Sequence, residues 1–317
     1  MINVLSGWPV VVIAAMLATG CWSAPSTLVI RGDTNVGIWI EGLAPCRPGD
    51  GDLLRIDPNR PLTLFVHGCN FSAGGFKTLA QVFEAHGQQT ICFNYNDRDR
   101  LEISSTRLMT AIEALSEIVP KEDITILGHS QGGLISRHAL VHDGKRPLRV
   151  GADFHIQLVT VSSPFGGISS ASHCGLTWLH VITLGLTAVV CQGITGSKWH
   201  EIYPDSRFMR RPGTLGSAVT KHIKIVTDER GACRRTRPNG HCAEDDYIFS
   251  LNEQSSAAVD GDSRVTSTAV KAGHVEIVGE RGNPPTKLLE VLQAQDILAR
   301  TPPERRTEMT RLLAQLY

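Results

Sequence analysis

Runs of consecutive apolar, β-branched or aromatic residues at 62–66, 90–95, 124–127 and 156–161, bounded by Gly, Pro, Asn or Asp, predict buried strands. A fifth strand is expected at 222–226. Between the third strand and those before it, Leu108, Ala111, Ile112, Leu115 and Val119 recur at three- and four-residue spacing, which makes one helical face that Pro120 ends. A further helix is expected near Gly133. Strands alternating with such helices imply right-handed crossovers and a mostly parallel sheet covered on both faces, an α/β architecture. The alternation breaks at 166–215, where 178–191 is almost wholly apolar and flanked by Gly and Ser. That run is too short to span a bilayer and is expected as a buried helix or as a cap over a site. From Lys287 the pattern is helical again, interrupted at Pro302-Pro303, and Leu312, Leu313 and Leu316 form a stripe expected to pack on the body.

The amino terminus has a different character. An uninterrupted apolar run at 10–18 ends in Thr19 and Gly20 before Cys21, the layout of a signal peptide core and cleavage site. Ala18-Thr19-Gly20-Cys21 also resembles a bacterial lipobox, in which lipidation of Cys21 would anchor the chain to a membrane. Eight cysteines without paired CxxC spacing point the same way, to an oxidising compartment. The expectation is export: periplasmic, outer-membrane lipoprotein or secreted. Cys233 with Cys242 is the favoured disulfide, and Cys174 with Cys191 would staple the cap, leaving Cys46, Cys69 and Cys92. Balanced charge, 31 basic against 31 acidic residues, gives no electrostatic footprint for nucleic acid. Cys233, His241 and Cys242 cluster, as do Glu244, Asp245 and Asp246, but neither set has a recognised ligand spacing, so no metal or cofactor is expected.

The strongest chemical signal is Gly128-His129-Ser130-Gln131-Gly132, directly after the 124–127 strand and before a helical run. A serine exposed on so sharp a turn needs glycines two residues away on either side, so that strand and helix can approach closely. A hydroxyl is a weak nucleophile, so Ser130 demands a base, and the base an orienting acid, in the chain order Ser, Asp or Glu, His. His274, in a loop ahead of the terminal helical region, is the expected base. Asp228, Asp245, Asp246, Asp260 and Asp262 follow the 222–226 strand and are the candidate acids. The oxyanion of a tetrahedral intermediate would need two backbone N–H groups. Gln131 would supply one; Cys69 or Asn70, in the His67-Gly68-Cys69-Asn70 loop after the first strand, would supply the other, with Cys69 preferred. His67 is expected to shape that loop and to exchange no proton.

Taken in order, HGCN, GHSQGG, Ser162-Ser163-Pro164-Phe165-Gly166-Gly167 and DGDSRV followed by GHVE make the chain similar to α/β-hydrolase serine esterases and lipases, especially the bacterial lipase and GPI-inositol-deacylase-like group, over roughly residues 60–280. The segment Tyr203-Pro204-Asp205-Ser206-Arg207-Phe208-Met209 looks like the one that follows the cap in those lipases. The resemblance departs at Ser162-Ser163, where the family has Gly-Thr, and at residues 229–258, an insertion carrying Cys233 and Cys242. The expected organisation is a signal peptide at 1–20, N-terminal strands at 21–60, a hydrolase domain at 61–300 with a cap at about 168–215 and the Cys-containing insertion at 229–258, and a C-terminal helix at 301–317. Because DGDSRV looks like the lipase acid loop, Asp262 is the preferred acid, Asp260 its rival, and Asp228 third. The implied reaction is hydrolysis of a carboxylic ester by Ser130, with His274 as base and Asp262 as acid. The apolar run at 178–190 favours lipid or medium-chain acyl substrates. Acyl transfer, thioester hydrolysis or amide cleavage on the same triad, and a non-catalytic surface lipoprotein with a hydrolase shell, remain open alternatives.

Overall fold

The computed structural model describes residues 27–31, 36–47, 53–57, 59–69, 73–119, 123–142, 147–171, 196–198 and 200–317. The leader at 1–20, Cys21, Asn70, the Cys174–Cys191 pair and the apolar run at 178–191 lie outside the described residues.

A seven-stranded sheet organises the chain. Its strands are β3 (Leu43–Pro45), β4 (Leu62–Val66), β5 (Gln89–Phe93), β6 (Asp123–His129), β8 (His155–Val161), β10 (Val219–Thr227) and β13 (Val265–Val270), in the order β13-β10-β8-β6-β4-β5-β3. Neighbours are parallel except β3, which runs antiparallel to β5 at one edge. Three two-stranded pairs lie beside it: β1 (Thr27–Arg31) with β2 (Val36–Ile40), β7 (Val141–His142) with β9 (Thr214–Leu215), and β11 (Cys233–Thr236) with β12 (Cys242–Asp245). The expected strands coincide with β4, β5, β6, β8 and β10, and the sheet is the mostly parallel one that their alternation with helices implied.

Side chains alternate across a strand, so a sheet buried on both faces feeds two cores. Leu64, Val66, Ile126, Ile156 and Leu158 face the first, beneath α2 (Leu101–Ile118) and α3 (Gln131–Ala139). Phe65, Leu127, Val159, Val161, Ile223 and Ile225 face the second, beneath α1 (Lys77–Ala85) and α6 (Thr286–Ala294). The five periodic residues of the α2 region, Leu108, Ala111, Ile112, Leu115 and Val119, are all buried. The helix itself begins seven residues before Leu108, at Leu101. Two one-turn helices, α4 (Arg207–Arg210) and α5 (Ala257–Asp260), lie in the connections. The last helix, α7 (Arg306–Leu316), buries Met309 and lays Leu312, Leu313 and Leu316 against the second core. Among the described residues no helix is long and apolar enough to cross a membrane.

Two disulfides are formed among the described residues. Cys233–Cys242 ties the β11–β12 hairpin, and Cys46–Cys92 joins the segment after β3 to β5. The second pair was invisible to loop-by-loop pairing because it depends on which strand lies beside which: Ala44 is opposite Cys92 in the antiparallel register, and Cys46 lies two residues past Ala44. Cys69 is the free, exposed cysteine among the described residues. Closing 46 residues of chain restricts the unfolded state by about 4 kcal/mol in the loop-entropy description. A Cys46→Ala/Cys92→Ala double variant is therefore expected to melt at lower temperature by calorimetry, and reductant should lower the wild-type midpoint while leaving that of the variant less affected.

Candidate active site

All six parallel strands point their C-terminal ends at one edge of the sheet, and strand order reverses direction between β4 and β6. Ligand crevices in open α/β sheets form outside that edge, at such a switch point. Here the loop after β4 meets the turn after β6. A Cβ on Gly68 would lie 2.8 Å from Ser130 Cβ and 3.4 Å from Ser130 Oγ, so only glycine lets this backbone lie against the serine.

Ser130 is held at φ 57° and ψ −127°, a left-handed conformation that costs a non-glycine residue energy and persists only where its surroundings impose it. The imposition is visible in the neighbouring glycines. A Cβ on Gly128 would sit 2.6 Å from Gly132 O, and one on Gly132 would collide with the carbonyls of Val66 and His67. Ser130 N–H continues the sheet ladder by donating to Val161 O at 2.8 Å. Gln131 opens α3, so its N–H belongs to the first turn, where helix geometry offers no intrahelical acceptor.

Four residues beyond β13 lies His274, buried to 6% exposure. Its Nδ1 is 3.0 Å from Glu229 Oε1 and 2.8 Å from Ser162 Oγ. Phe249 meets the imidazole edge-on at 4.8 Å between ring centroids, and His129, next to Ser130, lies 4.8 Å away and hydrogen-bonds through Nε2 to His274 O at 2.9 Å. Burial, reinforced by the neighbouring His274, drops the His129 pKa to about 3, so that ring is neutral. Asp246 fixes the histidine loop: its carbonyl accepts from His274 N–H at 3.0 Å, and its carboxylate accepts from the N–H groups of Val275 and Glu276.

Glu229 follows β10 by two residues and is almost wholly buried. Burial alone would raise its pKa, but hydrogen bonds from His274, Phe249 N–H and Ser162, with the charge of His274, leave it below the ordinary carboxylate value. Its Oε2 accepts from Ile248 N–H and Phe249 N–H at 2.5 and 2.7 Å. Its Oε1 accepts from Ser162 Oγ at 2.7 Å and faces Thr227 Oγ1 at 2.8 Å. Ser162, one residue past β8, is itself at φ 46°, a second strained serine at the same edge.

The carboxylate at His274 is thus Glu229, and neither Asp262 nor Asp260 is brought to it. Asp262 forms a fork with Arg264 at 2.7 Å, which lowers its pKa to about 2, and Asp260 accepts from Lys224 Nζ at 2.5 Å. The reason is directional. Asp262 precedes the N-terminal end of β13, whereas His274 follows its C-terminal end; six residues at about 3.3 Å each separate them by roughly 20 Å. Asp228 pairs with Arg230 and Lys271. Asp245 is exposed in β12, and Glu244 pairs with Arg234 and Arg235. Glu229 was missed because only aspartates were weighed after the 222–226 strand; the sequence signal was its position, since an acid directly after that strand falls at the same sheet edge as Ser130.

On the other side of Ser130, His67 is buried, bonds through Nδ1 to Gly68 O at 2.9 Å and stacks on Tyr95 at 4.2 Å, while Tyr95 OH donates to His67 O at 2.5 Å. Desolvation lowers the His67 pKa. Cys69 is the last described residue of this loop. Among the described residues no cluster of three or more His, Cys, Asp or Glu side chains could hold a metal ion.

Residues 62–201, from β4 through the elbow to just past Lys198, match the model of a family described as "Putative serine esterase (DUF676)". The fold is shared with Bacillus licheniformis lipase BlEst2 in its propeptide form, at a TM-score of 0.52 and 15% identity over 77% of this chain and 52% of that one. The chain has the α/β-hydrolase fold, and within it residues 62–201 are similar to serine esterases. The mature form of the same lipase is also similar to this chain (TM-score 0.46, 15% identity, 75% of this chain and 93% of that one). So is a thermophilic esterase, Est2 of Thermogutta terrifontis with propionate bound (TM-score 0.47, 13% identity, 88% and 97%). No curated protein sequence matches the chain.

The two carboxylates can be compared directly. Glu229→Gln keeps the shape but removes the charge at His274 Nδ1, and is expected to lower kcat/KM for an ester on the order of 10³–10⁴-fold. Asp262→Asn should leave kcat/KM within a few-fold. Steady-state kinetics on purified, folded variants checks both.

Proposed function

We propose that the protein hydrolyses carboxylic esters through an acyl-enzyme on Ser130, with His274 as general base and acid, Glu229 as the acid that orients it, and the N–H groups of Cys69 and Gln131 as oxyanion donors. The observation that carries this reading is the Glu229–His274 contact, buried and on the same sheet edge as the strained Ser130. With Nδ1–H engaged by Glu229 and Ser162, the basic lone pair of the ring belongs to Nε2. Ser130 Oγ attacks the ester carbonyl carbon as its proton passes to Nε2. The resulting oxyanion accepts from the two backbone donors. Collapse expels the alcohol, which takes the proton from Nε2 and leaves the acyl group on Ser130. Water then attacks, giving its proton to Nε2; collapse releases the acid and returns the proton to Ser130 Oγ.

Two finer points belong to the same reading. The apolar composition of 178–190, outside the described residues, favours lipid or medium-chain acyl esters over small polar ones. Export, with Cys21 as a lipidation point, is supported by the two disulfides, which persist in oxidising compartments. A fluorophosphonate probe is expected to label the wild type and not Ser130→Ala, and p-nitrophenyl esters should be turned over faster as the acyl chain lengthens from acetate toward octanoate. Wild type that is folded yet neither labelled nor active would overturn the esterase reading; a strict acetate preference would overturn the substrate class.

A further inference from the structure

Lys198 closes the short turn Gly196–Lys198 and is buried to 2% exposure, an unusual place for an ammonium group. The turn is pinned to the loop after β5: Ser197 N–H donates to Arg98 O at 2.7 Å, and Gly196, at φ 73°, leaves no room for a side chain, since a Cβ there would lie 2.6 Å from Arg98 Cβ. From this anchorage Nζ reaches three acceptors. They are Asp97 O, Gln131 Oε1 at 2.5 Å and Cys69 Sγ at 3.0 Å. The Gln131 amide closes the ring by donating from Nε2 to the same Asp97 carbonyl at 3.1 Å.

Two consequences follow from this arrangement. Cys69 and Gln131 sit on different loops, after β4 and β6, and the ammonium hydrogen-bonds to both side chains. Their backbone N–H groups are therefore set relative to each other by Lys198. The charge is the second point. The acceptors are a backbone carbonyl, an amide oxygen and a sulfur, and among the described residues the ammonium has no direct salt bridge to a carboxylate. A buried cation held by polar groups alone is costly. A tetrahedral oxyanion beside Gly68 and Gln131 would add negative charge near it at the moment of reaction, and only then, which is the condition for lowering a barrier instead of tightening ground-state binding.

We infer that Lys198 is the positioning residue of the oxyanion hole, fixing Cys69 against Gln131 and lending its charge to the tetrahedral intermediate. The inference rests on the ester-hydrolase reading of Ser130. It is tested with Lys198→Met and Lys198→Arg, and with Gln131→Met, which leaves the backbone donor in place but removes the acceptor of Lys198. For each, kcat and KM on one p-nitrophenyl ester, the inhibition constant of a trifluoromethyl ketone that forms a tetrahedral adduct with serine, and the melting temperature are measured.

The expected result for Lys198→Met is a fall in kcat on the order of 10–100-fold, KM within about three-fold, and weaker ketone inhibition in proportion to the lost kcat/KM. Lys198→Arg should retain more activity, and Gln131→Met should share the direction of the loss; it carries the test if Lys198→Met does not fold. The inference is overturned if kcat and ketone affinity stay within two-fold of wild type in the folded variants, or if KM alone rises. Wild type inert toward both ester and ketone would instead sink the hydrolase reading, and this inference with it.

Discussion

A carboxylate removed from water survives as an anion only where fixed donors replace its hydration, and Glu229 has them on both oxygens. The backbone N–H groups of Ile248 and Phe249 hold one oxygen, and Ser162, Thr227 and His274 surround the other. Much of the surrounding architecture exists to make that possible. The insertion after β10 returns to the sheet to present residues 248 and 249, and the same segment places Phe249 on the imidazole and Asp246 under the histidine loop. At Ser162, where the chain departs from the lipases it resembles, a hydroxyl touches both members of the buried pair.

The sheet supplies the convergence. Each chemically loaded residue lies within a few positions of a parallel strand's C-terminal end: Cys69 after β4, Ser130 after β6, Ser162 after β8, Glu229 after β10 and His274 after β13. Residues more than 200 positions apart in sequence, Cys69 and His274, are thus gathered by the strand register. The strain at Ser130 and Ser162 is stored at the same edge, and the close glycine contacts at 68, 128 and 132 show what holds it there.

Much of this was legible in the residues. Strands β4, β5, β6, β8 and β10 announced themselves as short apolar, β-branched or aromatic runs, and the glycines at 128 and 132 marked Ser130 with its context. His274 was singled out by its place, downstream of Ser130 and in a loop ahead of the terminal helical region. Asp262 does not reach His274 for a physical reason: the DGDSRV pattern carries no information about which end of β13 it occupies, and the segment enters that strand instead of leaving it. The Cys46–Cys92 pair and the Lys198 contacts were equally hidden, since both depend on which loops become neighbours after the sheet assembles. Pattern reading finds what one segment encodes; partners chosen by register need the fold.

The most direct test of the account is a crystal structure of the protein after phosphonylation. The account requires phosphorus on Ser130 Oγ, the phosphoryl oxygen accepting hydrogen bonds from the N–H groups of Cys69 and Gln131, and His274 bridging from Glu229 at Nδ1 to the adduct at Nε2. Phosphorus on another residue, or an adduct in which His274 has left Glu229 for a different carboxylate, would contradict it.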